Sequence, residues 1–126
     1  MANSIKAFVK ANATTPEYFF AEGCFITELS NSDDDPAVSI AQARLKPGKT
    51  TRWHYLRGTT ERYVMVQGAG LVEVDELPAQ HVSDSDVVII PAGARQRIRN
   101  TGKTDLVFLA ICSPRFTAAA YVDLEV

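Results

Sequence analysis

The chain has few of the residues on which metal-rich, secreted or nucleic-acid-binding proteins depend. It has two cysteines and two histidines in 126 residues, and Cys24 and Cys112 form no Cys-x-x-Cys pair. Thirteen Lys and Arg against fifteen Asp and Glu give a net charge of -2, which offers no global attraction for a phosphate backbone. No run of about 18 uncharged apolar residues is present, and the N-terminus lacks an apolar segment of signal-peptide length. We therefore expect a cytoplasmic protein with reduced, buried cysteines and no nucleic acid or membrane as a partner.

The sequence does contain the residue pattern that is typical of an all-β domain. Hydrophobic residues make up 46% of the chain and charged residues 22%, as in globular proteins, and 126 residues suit one domain. Apolar runs alternate with clusters of Gly, Pro, Asn or Asp about every eight to twelve residues, which is typical of short antiparallel strands. The predicted strands are 17–29, 37–45, 52–56, 61–66, 70–75, 87–90, 95–100 and 106–112. Pro16 separates an N-terminal segment, 1–16, from the predicted barrel domain, 17–126.

Two of these strands are apolar on both faces, namely VVII (87–90) and LVFLAI (106–111). A strand of this kind is covered on both sides. One face meets the core, and the other needs a second layer or a partner subunit. About eight antiparallel strands form either a sandwich or a small closed barrel.

The candidate chemistry lies in the stretch RWHYLRGTTERYVMVQGAG (52–70). Alternation puts Arg52, His54 and Leu56 on one face of their strand, and the short connection through Gly58 predicts a hairpin that brings His54 to the side of Glu61. Imidazole and carboxylate are common metal ligands and the commonest acid/base pair. The alternative is that His54 is a structural residue of a strand. The other histidine, at position 81, has no such neighbours, and we assign it to the surface.

This stretch resembles the first motif of the cupin superfamily, a glycine, His-x-His, a glutamate and a second glycine at fixed spacing. It falls on Gly48, His54, Leu56, Glu61 and Gly68 with every spacing kept. The resemblance therefore includes one substitution, a leucine where the motif has its second histidine.

A second cupin motif, a glycine, Pro-x-Gly, a histidine and an asparagine, falls on Ser85, Pro91, Gly93, Gln96 and Asn100 without a gap. Two spaced motifs are much more specific than one. The resemblance covers about residues 38–112 and implies a double-stranded β-helix, a jelly-roll barrel of two antiparallel sheets that usually pairs as a homodimer.

The resemblance also implies a divalent metal. Cupins with a metal use both histidines of the first motif, its glutamate and the histidine of the second, and these positions here read His54, Leu56, Glu61 and Gln96. Leucine has no lone pair, and a glutamine offers only a neutral amide oxygen. The implied site is thus a weak one for zinc, manganese, nickel or iron, with His54, Glu61 and Gln96 as ligands. No nucleotide cofactor is predicted.

Three hypotheses follow for function. In the first, the metal supports isomerase- or oxygenase-like chemistry on a small polar or anionic substrate, a sugar, sugar phosphate or carboxylate that Arg52 meets. In the second, no metal is needed, and His54, Glu61 and Tyr63 form a general acid/base set. In the third, the protein binds a small ligand without catalysis. The predicted ligand-binding residues are Arg52, Leu56, Met65, Gln96 and Ile98.

Overall fold

The computed structural model describes residues 5–11 and 16–125, and this part of the chain is built almost entirely of β-strands. In chain order they are β1 (Tyr18–Phe19), β2 (Phe25–Ser30), β3 (Ser39–Leu45), β4 (His54–Leu56), β5 (Thr60–Gln67), β6 (Ala69–Val74), β7 (Gln80–Ser83), β8 (Val87–Ile90), β9 (Gln96–Asn100), β10 (Leu106–Ser113) and β11 (Tyr121–Asp123). One turn of 3-10 helix (Ala118–Ala120) precedes β11. Residues 1–4 and 12–15 of the predicted segment 1–16, and residue 126 of the predicted domain 17–126, lie outside the described residues.

The strands form two antiparallel sheets. The first has the order β1-β2-β3-β10-β5-β8 and the second the order β11-β4-β9-β6-β7. The chain passes from one sheet to the other between β3 and β4, between β4 and β5, and between β5 and β6. These crossings give a jelly roll, and they confirm the predicted double-stranded β-helix.

Alternation along the strands places the core between the sheets. On β5, Glu61, Tyr63 and Met65 point inward and are buried, and the residues between them are more exposed. Met65 joins Leu45, Ile98 and Leu106 among the most completely buried side chains. Burial of an aliphatic side chain of this size stabilises the fold by about 1.5–3 kcal/mol.

The asparagine of the second motif closes one end of the barrel. Asn100 is completely buried, and its Nδ2 donates hydrogen bonds of 2.8 Å to the carbonyl oxygens of Leu45 and Thr104. Its Oδ1 accepts a bond of 2.9 Å from the N–H of Gly102. Asn100 therefore satisfies three backbone groups in two segments, the end of β3 and the loop between β9 and β10, which is a structural role.

The predicted hairpin between the strands of His54 and Glu61 is wrong. Strand β4 pairs with β9 and β11, whereas β5 pairs with β10 and β8. The N–H of Arg57 donates to the carbonyl oxygen of Ala120 at 2.8 Å, so the chain after β4 continues to bond beside β11 rather than to β5. His54 and Glu61 thus reach the barrel interior from opposite sheets.

Other strand predictions also need correction. The predicted strand 17–29 is broken at residues 20–24, where the N–H of Gly23 bonds to the carbonyl of Phe20 and the N–H of Phe20 to the carbonyl of Cys24. Strands β7 and β11 were not predicted. Both are four residues or shorter, too short to show a clear alternation.

The outer face of the first sheet is apolar at its β8 edge. Val88 and Ile90 point inward and are buried, whereas Val87 and Ile89 are 55% and 67% exposed. Val66 on the neighbouring strand is 47% exposed. The second layer predicted for this strand is therefore not supplied by the described part of the chain. None of the helical structure described is long or apolar enough to cross a bilayer.

Candidate functional site

A cavity of about 50 Å³ opens between the sheets beside His54 and Glu61. A buried water needs roughly 10–15 Å³ by this measure, so the cavity has room for a few waters or a ligand of a few heavy atoms. The lining residues are Tyr18, Phe20, Glu22, Ile26, Glu28, Ser39, Ala41, His54, Leu56, Glu61, Ala110, Cys112, Phe116 and Tyr121. Of the predicted site residues, His54, Leu56 and Glu61 line the cavity.

The orientation of the His54 ring is fixed by the backbone. Its Nδ1 lies 2.7 Å from the carbonyl oxygen of Arg52, and because a carbonyl only accepts, Nδ1 must carry a proton. In the neutral ring Nε2 is then an acceptor. The ring also stacks on Tyr121, with centroids 4.9 Å apart and an interplanar angle of 23°. Burial lowers the pKa of His54, which favours the neutral imidazole.

The partner of His54 is Glu22, which lies in the turn between β1 and β2. Its Oε2 is 3.3 Å from His54 Nε2, and its side chain is 15% exposed. Burial, and then the charge of Glu61, raise the pKa of Glu22 to about 8. A protonated Glu22 donates to the acceptor Nε2, while its Oε1 accepts a bond of 3.4 Å from the thiol of Cys24.

Glu61 faces the same cavity from β5 and is 8% exposed. Its Oε2 accepts a weak hydrogen bond from the Cys112 thiol, with Sγ at 3.7 Å, while its Oε1 is buried without a partner among the described residues. Burial raises the pKa of Glu61 to about 7, against the lowering effect of hydrogen bonds from Gln96 and Cys112. The hydroxyl of Tyr121 is also buried without a partner in the described part of the chain. Two residues that line the cavity therefore each carry a buried polar atom that a ligand or water could satisfy.

Gln96 and Tyr63 bond to each other and do not line the cavity. Gln96 lies opposite His54 in the pairing of β9 with β4, and its Oε1 accepts a hydrogen bond from the Tyr63 hydroxyl. Both side chains are buried, and the Tyr63 ring packs on Phe108 with centroids 4.5 Å apart. Their placement is that of a support behind the cavity wall.

Three other predicted ligand-binding residues also lie away from the cavity. Met65 and Ile98 are part of the hydrophobic core. Arg52 is held at the surface, where its Nε donates to Asp123 at 2.8 Å and a terminal nitrogen donates to the carbonyl oxygen of Glu125 at 2.7 Å. The placement of Arg52 differs from the prediction because β11, which was not predicted, brings Asp123 beside β4.

The donor atoms present do not fit the metal set that the resemblance implies. Leu56 contributes no lone pair, the oxygen of Gln96 is engaged by Tyr63, and His54 Nε2 is engaged by Glu22. Within residues 5–11 and 16–125, no group of three or more His, Cys, Asp or Glu side chains is arranged to hold a metal ion. Zinc, manganese, nickel or iron at His54, Glu61 and Gln96 stays a prediction that metal titration decides.

Most of the cavity-lining residues were missed by sequence reasoning, and the two that contact His54 are Glu22 and Tyr121. Glu22 had a signal, since it is a charged residue next to a glycine inside the apolar run YFFAEGCFI. A charge there predicts either a turn or a buried functional group. Tyr121 had no such signal in the sequence. Its strand is only three residues long and follows the segment TAAA, so no alternation of apolar and polar residues marks it.

Comparison with known families agrees with this architecture. The model of the cupin domain matches residues 41–112, more than half of the chain. The chain belongs to the cupin family. The matched span includes His54, Glu61 and Gln96 but neither Glu22 nor Tyr121, so the two residues that contact the His54 ring lie outside the matched region.

One curated relative is the oxalate-binding protein of Thermotoga maritima. It is 33% identical over 72 residues, which are 57% of this chain and 59% of the relative. The match thus spans less than two thirds of the relative's length.

Solved structures share the fold. The capsular polysaccharide assembling protein CapF of Staphylococcus aureus is 25% identical, with a TM-score of 0.73, over 90% of this cupin and 35% of CapF. The oxalate decarboxylase of Lactobacillus farciminis is 23% identical, with a TM-score of 0.73, over 86% of this cupin and 33% of that chain. KdgF of Halomonas is 18% identical, with a TM-score of 0.71, over 81% of this cupin and 90% of that chain. The last two show the fold alone.

Proposed function

We propose that this cupin binds a small polar molecule between Glu61 and the Glu22–His54 pair and moves a proton on it without a metal. The observation that carries the proposal is the buried Glu61, which lines the cavity and whose Oε1 has no hydrogen-bond partner among the described residues. A buried carboxyl oxygen without a hydrogen bond costs about 1–3 kcal/mol, a cost that a ligand hydroxyl removes. The relative that binds oxalate supports a ligand of a few heavy atoms.

The acid/base role rests on the position of Glu61 and on its environment. A general acid or base works best with a pKa near the working pH, and burial raises the pKa of Glu61 to about 7. As a carboxylate it accepts a proton from a hydroxyl-bearing carbon next to a ligand carbonyl; the electron pair of the broken C–H bond forms a C=C bond, and the π pair of the carbonyl moves to its oxygen. The Tyr121 hydroxyl, which has no partner among the described residues, donates a hydrogen bond to that oxygen. Glu61 then returns the proton to the former carbonyl carbon, while the ligand hydroxyl passes its proton to the former carbonyl oxygen and becomes the new carbonyl, which completes an isomerisation.

Proton exchange tests this chemistry directly. The cupin is incubated in D₂O with dihydroxyacetone, a small uncharged hydroxyketone, and loss of the C–H signal is followed by ¹H NMR. We expect exchange above the buffer rate and a decrease of about 10²- to 10⁴-fold in the Glu61→Gln variant. Glu76→Gln is the matched control, because the Glu76 side chain is 92% exposed. Exchange no faster than in buffer, or unchanged in Glu61→Gln, would contradict the proposed chemistry.

We also propose that two copies of this cupin pair as a homodimer through the outer face of β5 and β8. Val66, Val87 and Ile89 expose large apolar side chains there. Exposed apolar side chains grouped on one sheet face favour association. The predicted location in the cytoplasm stays a prediction.

A further inference from the structure

We infer that the cavity selects uncharged ligands and rejects small carboxylates and phosphates, oxalate included. The inference rests on the proposed role of the cavity as a ligand site, and it concerns the class of ligand rather than the chemistry performed on it. It sets this cupin apart from its oxalate-binding relative.

The first argument is the sign of the charges around the cavity. Three carboxyl groups line it, those of Glu22, Glu28 and Glu61, and the lining residues of the described chain include neither Lys nor Arg. An anion that leaves water needs a countercharge or several donors, since desolvation disfavours its charged form. Protonated or ionised, these carboxyl groups provide no positive charge.

The Glu22–His54 pair does not change this balance. Nδ1 of His54 bonds to a backbone carbonyl, so the proton shared with Glu22 sits either on Oε2 or on Nε2, 3.3 Å apart. The pair has zero net charge in both arrangements. The guanidinium of Arg52 is already paired with Asp123 at 2.8 Å.

The second argument is the pair of unsatisfied polar atoms. Glu61 and Tyr121 line the cavity, and Glu61 Oε1 and the Tyr121 hydroxyl are buried without a partner among the described residues. A hydroxyl or primary amide satisfies both, because it donates to one and accepts from the other. An anion that has no hydroxyl, such as oxalate, only accepts, so it leaves an ionised Glu61 without a donor. A volume of about 50 Å³ limits such a ligand to a few heavy atoms.

A matched pair of probes tests the selectivity. Glycolamide and glycolate have the same size and the same hydroxyl and differ in charge, and oxalate is the third probe. Binding to the wild-type protein at pH 7 is measured by saturation-transfer NMR and calorimetry. We expect a dissociation constant for glycolamide at least tenfold below those of glycolate and oxalate. Tighter or equal binding of either anion overturns the inference, and so does failure of glycolamide to bind.

A charge reversal at the cavity gives the second measurement. Glu28 lies on β2, lines the cavity and is only partly buried, so Glu28→Lys is compatible with the fold. We expect this variant to raise the affinity for glycolate relative to glycolamide about tenfold, while Glu76→Lys on the surface leaves the ratio unchanged. An unchanged ratio in Glu28→Lys contradicts the electrostatic argument. Selective binding without proton exchange refutes only the proposed chemistry, and exchange with equal binding of anions refutes only this inference.

Discussion

Glu22 Oε2 and His54 Nε2 lie 3.3 Å apart and join two parts of the chain, the β1–β2 turn and the strand β4. The contact engages a ring nitrogen of His54, a residue that the cupin resemblance implies as a metal ligand. It also leaves Nε2 engaged and the ring neutral, since Nδ1 donates to the carbonyl of Arg52.

This arrangement predicts that the protein loses stability as the pH rises. Burial raises the pKa of Glu22 to about 8 and that of Glu61 to about 7, from 4.5 in the unfolded chain. Between pH 4.5 and 8 the folded state therefore holds more protons than the unfolded state, and the free energy of unfolding falls with rising pH. We expect the Tm to fall between pH 5 and 8.5, by about 4 °C for each kcal/mol lost.

Substitution isolates the groups responsible. Glu22→Gln and Glu61→Gln should each flatten the Tm–pH curve, because an amide does not titrate. The effect of His54 on stability has the opposite sign. Because burial lowers its pKa from 6.5, its contribution to the free energy of unfolding increases as the pH rises, and this increase is confined to lower pH. The interval from pH 6.5 to 8.5 thus reports the carboxyl groups. A wild-type Tm that rises or stays level across this interval would show that the two carboxyls are ionised at neutral pH.

Restoring the two missing imidazoles should create a metal site. Leu56 and Gln96 occupy the positions of the absent histidines, and Gln96 lies directly opposite His54 on the paired strand. We expect the L56H/Q96H double variant to bind one equivalent of Zn²⁺ or Ni²⁺ and to rise in Tm with added metal. The wild-type protein should show neither effect.

The control for this experiment is the triple variant with His54→Ala, in which binding should weaken by at least tenfold. Stoichiometric metal in the wild-type protein that is lost on mutation of His54, Glu61 or Gln96 would instead establish the predicted metal set. Elemental analysis of the purified protein distinguishes the two results.

The sequence predicted the fold well because the two motifs encode where the strands turn. Gly48, Gly68 and Gly93 all have positive φ, between 77° and 94°. This is a backbone conformation that residues other than glycine rarely adopt. The spacing between them is set by strand length, so it survives even where the metal ligands have changed. The jelly roll and the buried His54 and Glu61 follow from that spacing.

The contacts of His54 could not be predicted from the sequence, because the residues that make them lie outside the two motifs. Glu22 is 32 positions before His54 and Tyr121 is 67 positions after it, by their numbers in the chain. No local periodicity connects residues so far apart. Strand alternation also placed Arg52 on the cavity side. That prediction was wrong because alternation carries no information about Asp123, which pairs with the Arg52 guanidinium at the surface.

The exposed apolar face predicts a homodimer that one charge disrupts. Ile89 is 67% exposed on β8, and its backbone pairs with that of Arg62 on β5. We expect light scattering to give twice the monomer mass of 13.8 kDa for the wild type and a monomer for Ile89→Lys. Val9→Lys is the control, because Val9 is also an exposed apolar residue, 90% exposed, and lies in the N-terminal segment rather than on this face. A monomeric wild-type protein would contradict the prediction.

Gly68, the last glycine of the first motif, should resist substitution for two physical reasons. Its φ of +94° is unfavourable for an L-residue, and a Cβ there would lie 3.0 Å from the carbonyl oxygen of Asp105 and 3.2 Å from the Cα of Leu106. Both neighbours are backbone atoms that cannot move aside without shifting β10. We expect Gly68→Ala to lower the free energy of unfolding by about 2 kcal/mol in urea titrations, which combines left-handed strain with overpacking. Gly102→Ala is the control, since its Cβ would meet nothing closer than 3.6 Å, and an equal loss in both variants would refute the close approach as the cause.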